Sequence, residues 1–323
     1  MALFTRPGDG ELADIARAFG LGAIRGAQPI AAGTINSNFA VATDRGRWFL
    51  RINEGKSEAD VAWEAQLVAA LADGGVATPP PVVAHDGRPY AQLPGTDKWV
   101  SVFPWRAGRH LGPTEVTADA AAQFGAALAQ LHVVGLGLPA AWRRRSIYDH
   151  DHLVARYARF AGTGDPALGH AVRVIGEGLA AAAGAAAVRA RASHGLIHGD
   201  LFRDNVLWDA GRLVAILDFE QASGGSFAYD LAVCVNDWCW DGDLRRDAAA
   251  ALLAGYRQVR PLTDADREAV LIEVPAAAVR FTITRITDVY LAKVDNPDKD
   301  FRAFLARCDT WRGPALGELS SLL

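Results

Sequence analysis

Ile197-His198-Gly199-Asp200-Leu201-Phe202-Arg203-Asp204-Asn205-Val206-Leu207-Trp208 sets a polar loop between two apolar runs. The runs read as short buried strands that hold the loop rigidly. Asp200 and Asn205 then put a carboxylate and a metal-capable amide carbonyl on one loop. Thirteen residues beyond Asn205, the apolar run Leu213-Val214-Ala215-Ile216-Leu217 ends on Asp218, with Phe219 and Glu220 behind it. A strand of that composition is buried, and a carboxylate at its end does not serve solubility. Two carboxylates and an amide on strand ends suit phosphoryl transfer. One carboxylate orients the attacking hydroxyl and accepts its proton, while the other and the amide hold Mg²⁺ on nucleotide phosphates. The bland rival makes Asp200 a turn cap, Asn205 a loop residue and Asp218 a chance strand end, which an Asp–Asn pair alone would support. The whole H-x-D-x-x-x-x-N pattern, followed by an apolar strand ending in Asp-Phe, is far more specific. His198 is expected to brace the loop through backbone hydrogen bonds and not to transfer a proton.

Upstream, the first hundred residues punctuate like strands and turns. Residues 40–43 and 48–52 are β-favouring runs joined by Asp44-Arg45-Gly46-Arg47, a hairpin signal. Ser57 opens a helical pattern through residue 72, with Val61, Ala65, Val68 and Leu71 at helical spacing and Gly74-Gly75 to end it. Pro79-Pro80-Pro81 forces an extended exit. Residues 88–93 and 98–103 are further strand candidates about Pro94-Gly95. After Phe103-Pro104-Trp105-Arg106-Ala107-Gly108 the pattern turns helical over 120–134, 149–160 and 167–192. A β-like interlude at 194–218 precedes helices over 227–239, 245–260, 264–293 and 300–307. There is no internal repeat. The expectation is an α+β, two-lobed fold with a ligand cleft. Residues 1–104 form a small, mostly antiparallel sheet with one main helix, a hinge lies near 103–108, and 105–323 form a larger helical lobe.

Composition narrows the class. The 323 residues carry 33 basic and 37 acidic side chains, a net charge of −4, so no electrostatic footprint for nucleic acid exists. Half the chain is hydrophobic and 22% is charged, a globular balance. Cys234, Cys239 and Cys308 make neither a disulfide framework nor a metal spacing, which fits a reducing compartment. Arg6, Asp9 and Glu11 come too early for a signal peptide, and Gly184, Arg189 and Arg191 interrupt the Ala-rich run at 179–192, so no membrane span is expected. A cytoplasmic location follows as an expectation. His150 and His152 with Asp149 and Asp151 read as a helix start and not a metal cluster. Arg143-Arg144-Arg145 reads as a solvated charge run.

Residues 198–205 with Asp218-Phe219 resemble the catalytic and metal loops of the aminoglycoside phosphotransferase and choline kinase superfamily, relatives of protein kinases. The resemblance runs from Pro29 to about Phe304. It implies a bilobal protein kinase-like fold, ATP as donor, Mg²⁺ as metal and a small hydroxyl compound as acceptor. Carried over by residue, Asp200 is the catalytic base, and Asn205 and Asp218 are the metal ligands. Gly33-Thr34-Ile35-Asn36-Ser37-Asn38 sits where the family keeps its phosphate-covering hairpin, so Gly33, Asn36, Ser37 and Asn38 are candidate nucleotide contacts; an ordinary hairpin turn is the alternative. Phe49-Leu50-Arg51-Ile52 resembles the strand whose lysine contacts the α- and β-phosphates, with Glu64 as its helix partner. Here the position holds Arg51, bulkier and forked, so phosphate binding and a structural Arg51–Glu64 pair both stand open. Val100-Ser101-Val102-Phe103-Pro104-Trp105 looks like the lobe connector that receives adenine, although Phe103 and Trp105 would also serve as core aromatics.

The C-terminal half is similar to the bacterial homoserine kinases of this fold, in residues 228–239, 253–262, 278–285 and the tail Asn296-Pro297-Asp298-Lys299-Asp300. That resemblance implies L-homoserine as the small-molecule substrate and makes Asp230 a structural support of the catalytic loop. Homoserine needs partners for its ammonium and carboxylate. Asn236 and Asp237 are candidates for the first, Arg280 and Arg285 for the second; helix-bridging is the alternative for each arginine. Trp238 and Trp240 read as core or pocket wall. A different acceptor on the same fold (a choline-like amine, a sugar, an aminoglycoside) or a catalytically inactive kinase-like binding protein are the competing readings. Only Arg51 argues for the last. Oligomeric state is not encoded in any of these features.

Overall fold

The computed structural model describes residues 5–30 and 35–323, so the expectation for Gly33 lies outside the described residues. The chain forms two compact units. One comprises Met1–Gly108 with Val214–Glu220, the other Arg109–Leu213 with Gln221–Leu323.

In the first unit the order is α1 (Asp9–Ala18), β1 (Ile24–Ile30), β2 (Ser37–Thr43), β3 (Gly46–Asn53), α2 (Glu58–Asp73), β4 (Ala91–Gln92) and β5 (Trp99–Pro104). The strands make one antiparallel sheet, β1-β2-β3-β5-β4. Strand alternation sorts its two faces. Phe39, Val41, Leu50, Ile52, Val100 and Val102 bury on one side with Leu12 and Ile15 of α1 and with Phe19 just after it. Arg51, one residue out of that phase, stands opposite Asn38 and Ser101 in register. Ser57 caps α2 by accepting from Asp60 N at 3.2 Å, and Val61, Ala65, Val68 and Leu71 bury its apolar stripe. The strand expected over 88–93 shrinks to two residues. Pro89, which has no N–H to give a ladder, sits within it. Neither α1 nor β1 was signalled, because α1 is short and β1 is largely solvent-exposed.

The second unit holds α3 (Ala118–Gly137), α4 (His150–Ala158), α5 (Gly169–Gly184), α6 (Ala186–Arg189) and β6 (His194–Ile197). Then come β7 (Val206–Asp209), β8 (Arg212–Ile216, of which residues 214–216 belong to the first unit), β9 (Ser223–Ser226), α7 (Phe227–Trp238), α8 (Arg246–Val259), α9 (Asp264–Arg285), α10 (Phe301–Trp311) and α11 (Ala315–Ser320). The expected 167–192 helix breaks after Gly184. The expected 264–293 helix stops at Arg285 and passes into a π turn, Ile286–Tyr290. α11 was not anticipated. α7 is buried at every position but Tyr229. α3 and α8 approach so closely that a Cβ on Gly125 would lie 2.1 Å from Leu252 O, and one on Gly255 2.0 Å from Ala122 O. Only glycine fits at either position.

Asp149 accepts from His152 N at 3.0 Å, the helix-start role expected of it. No cluster of three His, Cys, Asp or Glu residues among the described residues could hold a metal. All three cysteines are buried and free. The arginine run is less solvated than expected. Arg144 Nε donates to Ala222 O at 3.1 Å and Arg143 Nη2 to Leu136 O at 3.3 Å, while Arg145 pairs with Asp149 and Asp151.

Candidate active site

The loop after β6 is built around a buried anion. Asp230, on the first turn of α7 and fully buried, accepts from His198 N at 2.7 Å and Gly199 N at 2.8 Å. His132 of α3 adds Nε2 at 3.1 Å, and the other ring nitrogen meets the Tyr256 hydroxyl of α8 at 2.8 Å. Burial alone would raise the Asp230 carboxyl, but the hydrogen bond from His132, with that from the Gly199 amide, holds it below the usual range. Burial lowers His132, so the ring is a neutral imidazole that donates from Nε2 and accepts from Tyr256. Gly199 turns the chain at φ 81°, and a Cβ there would lie 3.1 Å from Gln221 O. His198 itself is fully buried and Asp200 N lies 3.4 Å from its Nδ1, which agrees with a bracing role.

Asp200 follows this brace with its side chain 26% exposed. Asn205 Nδ2 donates to Asp200 O at 2.7 Å, which fixes the amide and leaves Oδ1 as the atom that could take a cation. Arg280 of α9, 3% exposed, sets Nη1 3.4 Å from Asp200 Oδ1 and donates from Nη2 to Gln221 Oε1 at 2.7 Å. Its guanidinium is sandwiched between Tyr148 and Phe281, 4.0 and 3.8 Å from the ring centres, and its buried Nε has no hydrogen-bond partner among the described residues. Arg285 donates to Asp300 O at 3.1 Å and lies over Phe304. Burial lowers its pKa against the pull of Asp237, Asp204 and Asp200.

The two remaining acceptor candidates are engaged elsewhere. Asn236 is fully buried. Its Nδ2 donates to Ala232 O and Val274 O, and its Oδ1 accepts from Trp311 Nε1 at 2.8 Å, so it pins α7 to α9 and α10. Asp237 holds Arg203 through the backbone N at 2.8 Å, Nε at 2.9 Å and Nη2 at 3.2 Å. Asn236, with its amide donors and its oxygen bonded to protein, sets the helix packing, and Asp237, paired with Arg203, sets the loop. Trp238 stacks on Phe124 at 3.8 Å in the core, as its composition suggested.

In the first unit a second polar cluster lies on the Arg51 face of the sheet. Arg51 Nη1 meets Glu64 Oε1 at 2.9 Å and Nη2 lies 3.6 Å from Asp218 Oδ1. Lys56 Nζ reaches Glu64 Oε2 at 3.0 Å and Glu220 Oε2 at 2.9 Å. Glu220 also accepts from Asn36 Nδ2 at 3.0 Å, and Ser37 Oγ donates to Glu54 Oε1 at 2.7 Å. Asn38 is buried on β2. Asp218 takes a left-handed φ of 65°, a strained conformation for a residue with a side chain. Burial raises its carboxyl, opposed by Arg51 and reinforced by Glu220 and Glu64. Its Oδ1 is buried with no hydrogen bond among the described residues, an orphaned acceptor that a hard cation could take up. Phe103 tilts against Phe49 at 6.1 Å, and Trp105 lies under Arg47 at 3.7 Å.

Sequence reasoning missed Lys56 and Glu220, which complete the Arg51 cluster, and His132, Tyr148, Gln221 and Tyr256 around the loop. Glu220 was visible two residues past Asp218, and Lys56 as the cation just after β3. The others come from distant helices and carry no local signal.

A family model described as "Phosphotransferase enzyme family" matches residues 26–262. The chain is 36% identical over 294 residues to a protein named homoserine kinase from Gluconacetobacter diazotrophicus, covering 89% of each. It is 34% identical over 299 residues to one of the same name from Methylobacterium radiotolerans, covering 89% of this chain and 88% of that one. Among solved structures, an amicoumacin kinase in complex with AMP-PNP and Ca²⁺ superposes with a TM-score of 0.73 at 16% identity, over 94% of this chain and 93% of that one, a likeness of fold. Loop, brace and sequence agree: the chain belongs to the phosphotransferase enzyme family and has its kinase-like α+β fold.

Proposed function

We infer that the chain is an ATP-dependent kinase that phosphorylates the side-chain hydroxyl of L-homoserine. Arg280 carries this reading. A buried, always-charged guanidinium 3.4 Å from the Asp200 carboxylate suits an acceptor that brings its own carboxylate beside the hydroxyl to be phosphorylated. The relatives named homoserine kinase, similar over most of both chains, support the same acceptor. In this reading the second unit takes homoserine, with Asp200 accepting a hydrogen bond from its hydroxyl and then its proton. Arg280 grips the carboxylate, with Arg285 adding positive charge nearby. The first unit takes the nucleotide, with Asn36, Ser37 and Asn38 toward the phosphates and Phe103 and Trp105 toward adenine. Asn205 Oδ1 in the second unit and the Asp218 carboxylate in the first are each suited to ligate Mg²⁺, which when bound would neutralise charge on the transferring phosphoryl group. The test is ATP turnover by the purified chain against homoserine, serine, choline, a hexose and an aminoglycoside. Homoserine is expected to give the highest kcat/KM; preference for any acceptor without a carboxylate would overturn the assignment.

A further inference from the structure

The Arg51 cluster holds two cations, and they are not equivalent. Arg51 is 9% exposed, and both its Nη atoms face carboxylates, Glu64 at 2.9 Å and Asp218 at 3.6 Å. To bring the two ends of its fork to a phosphate it would have to loosen two charge contacts in a buried site, which is unfavourable, and its Nε, on the stem side of the guanidinium, is itself buried with no hydrogen-bond partner among the described residues. Its guanidinium is therefore hydrogen-bonded to Glu64 and held at ion-pair distance from Asp218, the residue with the strained backbone. Lys56 stands three residues past the end of β3 and one before the α2 cap, so the helix start fixes its stem. Its ammonium has three donors, and two are accounted for by Glu64 Oε2 and Glu220 Oε2. The third has no partner among the described residues. Through Glu220 Oε2, Lys56 is also one bond removed from the Asn36 amide. It thus joins the α2 glutamate, the segment after β8 and the chain entering β2.

We propose that Lys56, and not Arg51, is the cation that contacts the phosphates of the bound nucleotide, with Arg51 as the positioning residue that holds Asp218. This rests on the kinase reading above. It assigns the phosphate contact to a compact, rotatable point charge, while the planar fork stays with the carboxylates it matches.

The experiment compares ATP and adenosine, because only ATP reports on phosphate contacts. By calorimetry, K56M is expected to lose about 10–100-fold in ATP affinity, the worth of one charge-assisted hydrogen bond, with adenosine affinity unchanged. K56R should recover part of the loss. In the absence of Mg²⁺, R51M should lower the melting temperature and weaken ATP and adenosine alike. The wild-type chain gives a readout independent of variant folding, since it has only four lysines, Lys56, Lys98, Lys293 and Lys299. ATP, but not adenosine, should protect Lys56 from acetylation by acetic anhydride, as read by mass spectrometry. The proposal is overturned if Lys56 labels equally with and without ATP, or if K56M binds ATP as wild type does while R51M loses the discrimination from adenosine. A wild-type chain that binds no ATP would instead defeat the kinase reading itself.

Discussion

Asp230→Asn tests whether the catalytic loop is positioned by a buried anion. The carboxylate serves three donors, with His198 N and His132 on Oδ2 and Gly199 N on Oδ1. An isosteric amide keeps one oxygen only. With that oxygen in the Oδ2 place, Gly199 N–H faces an NH₂ group; with the amide reversed, His198 N–H and His132 do. The least costly arrangement loses one charge-assisted bond and strands one buried N–H, about 3–5 kcal/mol together. A domain of ordinary stability, about 5–15 kcal/mol, survives that loss. The melting temperature should fall by about 10 °C. Turnover should suffer more, because Gly199 adjoins Asp200 and a displacement of about 1 Å in a reacting group costs roughly 100-fold. ATP affinity should hold, since the brace lies wholly in the second unit. Scanning fluorimetry, steady-state kinetics and calorimetry on one preparation read all three. If D230N melts within about 2 °C of wild type and retains its kcat, the brace does not position the loop and the reasoning fails.

Asp200→Asn should lower kcat by about 100-fold or more at unchanged ATP affinity, because the amide cannot take the hydroxyl proton; single-turnover phosphate transfer checks it. Arg280→Lys should raise the KM for homoserine about 10–100-fold, since an ammonium cannot bond Asp200 and Gln221 while stacked between two rings; steady-state kinetics with a parallel melting curve decide. Asp218→Asn should abolish Mg²⁺-dependent tightening of nucleotide binding without lowering the melting temperature, because asparagine tolerates the left-handed backbone; titrating Mg²⁺ against bound nucleotide shows whether it does.

The catalytic loop was legible because its chemistry is compressed into eight consecutive residues, and Asp218 because an apolar strand ending in a carboxylate is locally odd. Arg280 was legible as a candidate only; its place beside Asp200 depends on a contact across 80 residues. Asn236 and Asp237 were candidates on the same terms. Polar residues on a buried helix look alike in sequence whether they meet a ligand, as was expected, or meet Trp311 and Arg203. The hairpin of β2 and β3 was visible in its turn residues. The end of α9 was not, because the apolar pattern runs through the π turn without a breaker.

The glycine crossing of α3 and α8 has a reach beyond packing. His132 lies seven residues after Gly125, about two turns or 10 Å along α3, and Tyr256 directly follows Gly255 on α8. The spacing of two helix backbones therefore fixes how far the tyrosine hydroxyl stands from the imidazole, and the imidazole orients the anion that holds the loop. Dimensional accuracy at Asp200 is inherited from a backbone contact at positions that carry no side chain at all. A family of such chains could exchange nearly every core residue around these helices and keep its chemistry in gauge, so long as those two positions stayed bare.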